Sequence, residues 1–213
     1  MLKKRTLEYR HFKRLLLATA LIYPAANANA FSVSPMVEVI GPTGSDARVS
    51  YKVDNTNGDQ LISFEASAFS LSYDEQGNEI LESADEDLLL FPPIAQVQSG
   101  SSQIIQVQYV GEPALDSSRT YRVVVEQLPV SQEEGVQAIA ITSAFSTLLS
   151  VVPRGVDARL SVLSANSTNT GWELTIENSG NRFSRMTETT WVISSNGTET
   201  KLGGMTLGSS LNE

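Results

Sequence analysis

The sequence predicts an all-β fold, and three observations carry this prediction. Apolar and polar residues alternate with a period of two through nearly all of the chain beyond residue 30, as in strands that bury one face. Gly, Pro, Asn and Ser separate these runs at intervals of about ten residues. Helical periodicity of any length is missing. This combination is typical of a β-sandwich of immunoglobulin type.

Residues 1–30 are interpreted as an export signal and not as part of the fold. Basic residues precede an apolar stretch from Leu15 to Tyr23, and the segment ends in Ala28-Asn29-Ala30, a small-residue pattern that signal peptidases cut. The apolar stretch is shorter than the roughly 20 residues that a membrane-spanning helix needs. We therefore expect cleavage after Ala30, a mature chain that starts at Phe31 and is not inserted in a membrane, and a periplasmic location.

The mature chain is strongly acidic. The leader holds six of the 15 Lys and Arg residues and one of the 24 Asp and Glu residues, which leaves nine basic and 23 acidic residues and a formal net charge of −14. Such a field repels nucleic acid and anionic lipid surfaces. We therefore expect no nucleic-acid partner.

The absence of Cys and the scarcity of His exclude several kinds of catalytic and metal site. The chain has no Cys, and its one His, His11, lies in the leader. A mature chain without either cannot form a disulfide, a Ser-His-Asp triad, a Cys-His pair or an ordinary zinc site. The acidic stretch at residues 79–87 lacks the ligand spacing of an EF-hand and is interpreted as a solvated loop. We expect neither a cofactor nor a metal.

The strand pattern divides the mature chain into two parts. Residues 31–153 have room for one sandwich domain of seven strands, and the clearest predicted strands are at 47–53, 61–71, 104–109, 121–128 and 138–152. Turn formers at residues 54–58 and a solvated hairpin tip at residues 73–79 flank the second of these strands. Pro153-Arg154-Gly155 is interpreted as a linker.

Residues 154–213 are expected to form a second β-sandwich domain. The predicted strands there are at 158–164, 172–178 and 190–193. A complete sandwich of this type takes about 100 residues, so we expect the second domain to be partial.

Five segments in order resemble the PapD-like periplasmic chaperones of the chaperone-usher pathway, in the branch called archaic or alternative. The segments are Phe31–Pro35, Phe91–Ile94 with its Pro-Pro pair, Gln98–Ile105, Tyr121–Pro129 and Ile139–Pro153. The resemblance covers residues 31–202. It implies two immunoglobulin-like domains in a boomerang arrangement.

The resemblance also implies a function. Chaperones of this family bind, fold and cap pilus subunits, whose own sandwich lacks its last strand, and deliver them to an outer-membrane usher. They lend their seventh strand to the subunit by strand addition at a sheet edge. In this chain we expect Ile139, Ile141 and Phe145 of that strand to fill the groove of the subunit. An exposed edge strand would favour self-association when no subunit is bound.

A cationic anchor for the terminal carboxylate of the subunit is a further implication of the resemblance. The Arg and Lys of the better-known branch would fall near Val37 and Leu148, and neither is basic. Arg122 is the residue that we expect to take this role, since it is similar to the archaic-branch pattern and a guanidinium can hold a carboxylate through two hydrogen bonds. The alternative is a surface ion pair with Glu126 or another carboxylate.

Two other function classes stay open on the sequence alone. A structural or adhesive sandwich, such as a pilus subunit, would be expected to have an incomplete first domain and a Cys pair. A carbohydrate-active enzyme would need paired carboxylates in a groove with aromatic platforms. Trp172 and Trp191 are the two Trp residues available, and both are predicted to lie in a core. We therefore expect no enzyme activity.

Overall fold

The computed structural model describes residues 31–129, 142–169, 171–195 and 198–203. These residues form strands, turns and two 3₁₀ segments, at Gly44–Ala47 and Met186–Glu188, and no α-helix is found among them. The predicted all-β fold is confirmed. Within the same ranges, no helical segment has the length and apolar character that a membrane crossing requires.

The first part of the chain is a sandwich of two sheets. Its strands are β1 (Ser32–Ser34), β2 (Val37–Ile40), β3 (Arg48–Asp54), β4 (Ile62–Tyr73), β5 (Glu79–Ser83), β6 (Leu88–Phe91), β7 (Ile94–Val97), β8 (Ser102–Tyr109), β9 (Arg119–Leu128) and β10 (Ala144–Val151). One sheet has the order β1-β3-β8-β6. The other has the order β2-β10-β9-β4-β5, with β7 also paired to β4.

The core lies between the two sheets and is built from alternate residues of each strand. On β9, Tyr121, Val123 and Val125 are fully buried, while Glu126 is exposed. The large core residues that pack around them from the other strands are Tyr51, Val53, Phe64, Ile105, Val107, Leu149 and Val151. This is the period-two burial that the sequence pattern predicted.

The first stretch of the mature chain is divided between the two sheets. β1 pairs antiparallel with β3, where Val33 lies opposite Val53. After the cis peptide bond between Ser34 and Pro35, β2 crosses to the other sheet and pairs in parallel with β10. One short segment therefore lies at the edge of each sheet.

The acidic stretch differs from its prediction. Residues 79–83 form strand β5, which pairs with β4, so the interpretation as a loop was wrong for this half. All five residues of β5 are exposed, including the apolar Ile80 and Leu81. In the other half, Asp87 accepts a hydrogen bond of 2.8 Å from the hydroxyl of the buried Tyr121, and burial raises the pKa of that hydroxyl.

The described residues beyond Pro153 form four further strands. They are β11 (Leu160–Ser167), β12 (Trp172–Asn178), β13 (Thr190–Ser195) and β14 (Thr198–Gly203), paired as β11-β12 and β13-β14. Trp191 is partly buried, but Trp172 is 68% exposed, so the predicted core position of Trp172 was wrong. The two-stranded sheet β11-β12 has no second sheet paired to it among the described residues, which leaves the Trp172 ring in solvent.

The segment after β12 contacts the loop between β8 and β9. The Asn181 side chain donates a hydrogen bond of 2.8 Å to the Asp116 carbonyl, and the Phe183 amide donates one of 2.8 Å to the Ser118 hydroxyl. A Cβ at Gly180 would lie 2.1 Å from the Asp157 carbonyl oxygen. Only glycine fits this close approach, so the chain passes here without a side chain.

Asn55 is expected to be a main stabilising polar residue of the sandwich. It is 2% exposed, and its side-chain amide donates to the carbonyls of Gln60 at 2.8 Å and Val97 at 3.2 Å. Asn55→Ala leaves both carbonyls without this donor, and the free energy of unfolding should fall by about 2 kcal/mol. Urea denaturation measures it. Asn57→Ala, at an exposed position, should change it by less than about 0.5 kcal/mol. Equal effects of the two variants would contradict this role.

Candidate functional site

The outer side of β10 is only half covered. Its inner side pairs with β9 over all eight residues, from Ala144 opposite Glu126 to Val151 opposite Arg119. On the outer side, β2 pairs with it only from Leu148 onward. Among the described residues, Ala144–Thr147 therefore have no strand on this side. We call this half of β10 the open edge.

The backbone of the open edge directs hydrogen-bonding groups outward. The Leu148 amide donates to the Met36 carbonyl at 2.8 Å, so the amide of this even-numbered residue faces β2. The Gln127 amide donates to the Ser143 carbonyl at 2.9 Å, so the backbone groups of Ser143, an odd-numbered residue, face β9. Because successive residues of a strand alternate in direction, Ala144 and Ser146 present their N–H and C=O groups to the outside. Such unpaired groups are a template for a further strand.

Odd-numbered residues of β10 face the core. Thr147, Leu149 and Val151 are fully buried, and Phe145 lies at the margin, with its ring edge-on to that of Phe31 at a centroid distance of 4.8 Å. The strand contains no bulge between Ala144 and Val151. Of the three residues expected to fill a groove, Ile139 and Ile141 lie outside the described residues, and Phe145 contacts the core of its own sandwich.

One row of side chains crosses the outer face of the sheet beside the open edge. The register pairs Val37 with Leu148, Leu148 with Arg122, and Arg122 with Phe69. Val37 and Leu148 are thus direct neighbours. These are the positions near which the resemblance would place the Arg and Lys of the better-known branch. Arg122 lies next to them, on the adjacent strand. Arg122 is therefore the one charged residue of this row, and the other three residues are apolar.

Arg122 is already paired. Its Nη2 donates to Glu79 Oε1 on β5, so the partner is a carboxylate, as the alternative interpretation expected, but not that of Glu126. The Arg122 side chain is 22% exposed, and its Nε is buried without a hydrogen-bond partner among the described residues. The guanidinium is thus held by one hydrogen bond and retains donors for another acceptor.

Three other basic residues of the sandwich and its linker also have acidic partners. Arg119 lies 3.5 Å from Asp87 and 3.4 Å from Glu112, and the exposed Arg154 lies 3.6 Å from Asp46. Lys52 donates a hydrogen bond to Asp54, and this bond, together with those from Thr56, lowers the pKa of the Asp54 carboxyl to about 2. None of these three cations lies in the row of Arg122. Arg122 is thus the one of these four cations that lies in register with Leu148, beside the open edge.

An immunoglobulin-type sandwich with a half-covered edge at β10 agrees with a match to a known family. A family model described as pili and flagellar-assembly chaperone, PapD N-terminal domain, matches residues 32–157, more than half of the chain. The chain belongs to this family. It is therefore a pilus-assembly chaperone, and its family is one of chaperones and not of enzymes. Membership also implies a periplasmic location.

Individual relatives of this chaperone agree. The probable fimbrial chaperone EcpB of Klebsiella pneumoniae (strain 342) is 27% identical over 164 residues, which cover 75% of this chain and 72% of that protein. The predicted resemblance to chaperones of the chaperone-usher pathway is confirmed by the family and this relative together.

Solved chaperone structures share the fold. The class 5 fimbriae chaperone CfaA is 14% identical, with a TM-score of 0.58 over 82% of this chain and 79% of that chain. The CsuC–CsuE chaperone–tip adhesion subunit pre-assembly complex, from archaic chaperone-usher Csu pili of Acinetobacter baumannii, gives a TM-score of 0.54 at 16% identity over 71% of this chain and 73% of that chain. At these identities the likeness shows the fold alone.

Sequence reasoning missed two features of the site. It did not find that β2 covers only half of β10, because that depends on where the first strand changes sheets. It also did not find Glu79 as the partner of Arg122, 43 residues away. The one available signal was the acidic run itself, which provides several carboxylates and does not identify the one that pairs.

Phe145 is predicted to stabilise its own sandwich. Its ring packs against Phe31, which is 4% exposed. Phe145→Ala should lower the free energy of unfolding by about 2 kcal/mol, less than a fully buried Phe would because the ring is only partly covered. Urea denaturation of the purified protein gives the value. Ser146→Ala, on the solvent face of the same strand, is the matched control, and a loss at Phe145 no larger than at Ser146 would show that the ring contact contributes nothing.

Proposed function

We propose that this chaperone binds pilus subunits by strand addition at the open edge of β10 and holds them in the periplasm for delivery to an outer-membrane usher. The observation that carries the proposal is the open edge itself. Ala144 and Ser146 present outward N–H and C=O groups that β2 does not reach. A subunit strand placed there would continue the sheet beyond β10 in line with β2.

The direction of the added strand is part of the proposal. β2 runs parallel to β10 and begins at Val37, opposite Leu148. A subunit strand that also ran parallel to β10 would end where β2 begins. Its terminal carboxylate would then lie beside the row of Val37, Leu148 and Arg122. An antiparallel strand would place an amino end at this cation, which is electrostatically unfavourable.

We propose that the groove-filling residues would continue the alternation of β10 toward its amino end. If the alternation seen from Phe145 to Val151 continues without a bulge, Ile139 and Ile141 share the face of Phe145. These apolar side chains would replace those of a missing strand in the subunit, while Phe145 lies at the junction between the two cores. Arg122 would bind the subunit carboxylate.

Partners of a similar kind occur among the structures with this fold. The Acinetobacter baumannii structure contains a chaperone with a tip adhesion subunit of the pilus. For this chain we propose pilus subunits as the partners and an outer-membrane usher as the receiver. Without a subunit, the open edge would pair with a second copy of the chain.

Ser146→Pro is expected to reduce subunit binding. Proline removes the outward N–H donor of Ser146, and its ring occupies the position of the incoming strand, while the hydrogen bonds of the odd-numbered residues to β9 remain. We expect about tenfold less subunit to co-purify from periplasm in which the neighbouring subunit genes are expressed with the chaperone. The measurement is the ratio of subunit to chaperone after affinity purification.

Two further variants complete this experiment. Ser146→Thr keeps the N–H donor and should retain the subunit. Ile139→Asp with Ile141→Asp places charges on the proposed groove-filling face and should abolish co-purification without unfolding the protein, as judged by circular dichroism. Full retention of the subunit by the folded Ser146→Pro variant and by the double variant would contradict strand addition at this edge.

Cleavage of the leader after Ala30 is a further part of the proposal. Phe31 is 4% exposed and packs against Phe145, so a chain that starts at Phe31 would have its first side chain inserted in the core. The intact mass of the periplasmic protein should correspond to residues 31 onward. A mass that includes residues from before Phe31 would show a different cleavage site.

A further inference from the structure

The ion pair between Arg122 and Glu79 holds the guanidinium on the side of the sheet away from the open edge. Arg122 lies on β9, and Glu79 lies on β5, with β4 between these two strands. The Arg122 side chain therefore extends across β4. Glu79 is on a strand whose residues are all exposed, and its own side chain is 38% exposed. Solvent can thus reach the carboxylate that holds Arg122.

The open edge lies on the opposite side of Arg122, and one strand intervenes in either direction. Neighbouring strands of a sheet are about 4.8 Å apart. β5 is two strands from β9, since β4 intervenes, and a strand added outside β10 would also be two strands from β9, since β10 intervenes. A side chain that reaches a carboxylate over β4 can reach one over β10. It cannot do both, because the two directions are opposite.

The pairing with Glu79 uses the guanidinium incompletely. Nη2 donates to Glu79, while Nε is buried and lacks a partner among the described residues. A guanidinium binds a carboxylate best through two parallel hydrogen bonds, and a buried donor left unpaired costs free energy. A carboxylate that engaged two donors would therefore replace Glu79 favourably.

We propose that Glu79 is an internal competitor for Arg122 and that a bound polypeptide must displace it with its own terminal carboxylate. The inference rests on the proposed function, since the incoming carboxylate is that of a strand at the open edge. In the unbound state Glu79 neutralises Arg122 and turns it away from Leu148. On binding, Arg122 exchanges Glu79 for the terminal carboxylate, and Glu79 is released to solvent.

The competition with Glu79 lowers the affinity of the chaperone for a strand with a free terminal carboxylate, by a predictable factor. If the paired state accounts for about 90% of the unbound protein, the apparent dissociation constant is about tenfold above that of a protein without the competitor. Glu79 also favours release, because it recaptures Arg122 as the ligand carboxylate leaves. Such a chaperone would hold its subunit and still give it up without a change in the strand contacts.

The test uses two synthetic peptides, acetyl-Thr-Val-Thr-Val-Thr-Val with a free carboxyl terminus and the same peptide amidated. ¹H–¹⁵N NMR titrations of the mature protein follow the Arg122 Nε–H signal and give the dissociation constant of each peptide. Glu79→Gln should bind the free-acid peptide about tenfold more tightly than the unmodified protein. Glu82→Gln, on the opposite face of β5, is the matched control and should bind like the unmodified protein. The amidated peptide should gain nothing from Glu79→Gln.

Each result decides between the possibilities. Equal affinity of the Glu79→Gln variant and the unmodified protein for the free-acid peptide, or no binding to either, would overturn the exchange. An equal gain for the amidated peptide would also overturn it, because the terminal carboxylate would then not be the ligand. If subunits co-purify through the open edge but Glu79→Gln gains no affinity, only the exchange fails. If subunits do not co-purify at all, the proposed function itself fails.

Discussion

The parallel pairing of β2 with β10 is the interaction on which the site depends. Each sheet edge must be covered or left as a template for another strand, and one short stretch of chain covers an edge of both sheets. It does so incompletely on both sides, since β1 has three residues against seven in β3, and β2 has four against eight in β10. The open edge results from dividing this stretch between the two sheets. The open edge ends, toward the carboxyl end of β10, where β2 starts opposite Leu148.

The acidic composition determines how a cation can work beside that edge. The mature chain has 23 acidic and nine basic residues, and several of the basic side chains lie beside a carboxylate. The pairs of Arg119 with Asp87 and Arg122 with Glu79 illustrate this. Any anionic group that binds Arg122 from outside has to compete with a local carboxylate. Partly exposed ion pairs contribute little free energy, so this competition is reversible.

Local patterning predicted the strands well and the contacts between them poorly. The alternation from Tyr121 to Leu128 appears as the buried face of β9, and counting along the chain brought Val37 and Leu148 to positions that the register places side by side. The pairing of Arg122 with Glu79 depends on strands brought together over 43 residues, which period-two patterns do not encode. The predicted core position of Trp172 was wrong for a similar reason, because burial of an aromatic strand residue depends on whether another layer covers it.

A strand that serves two cores has to be fixed firmly in one of them. β10 forms register pairs with β9 along its whole length, including the four residues of the open edge, so this half needs no outer partner to stay in place. A slip of one residue would turn Leu149 and Val151 away from the core between the two sheets, and both are fully buried there. The burial of the covered half therefore sets the phase of the open half. The sandwich thereby determines which side chains a bound strand would meet, before any subunit arrives.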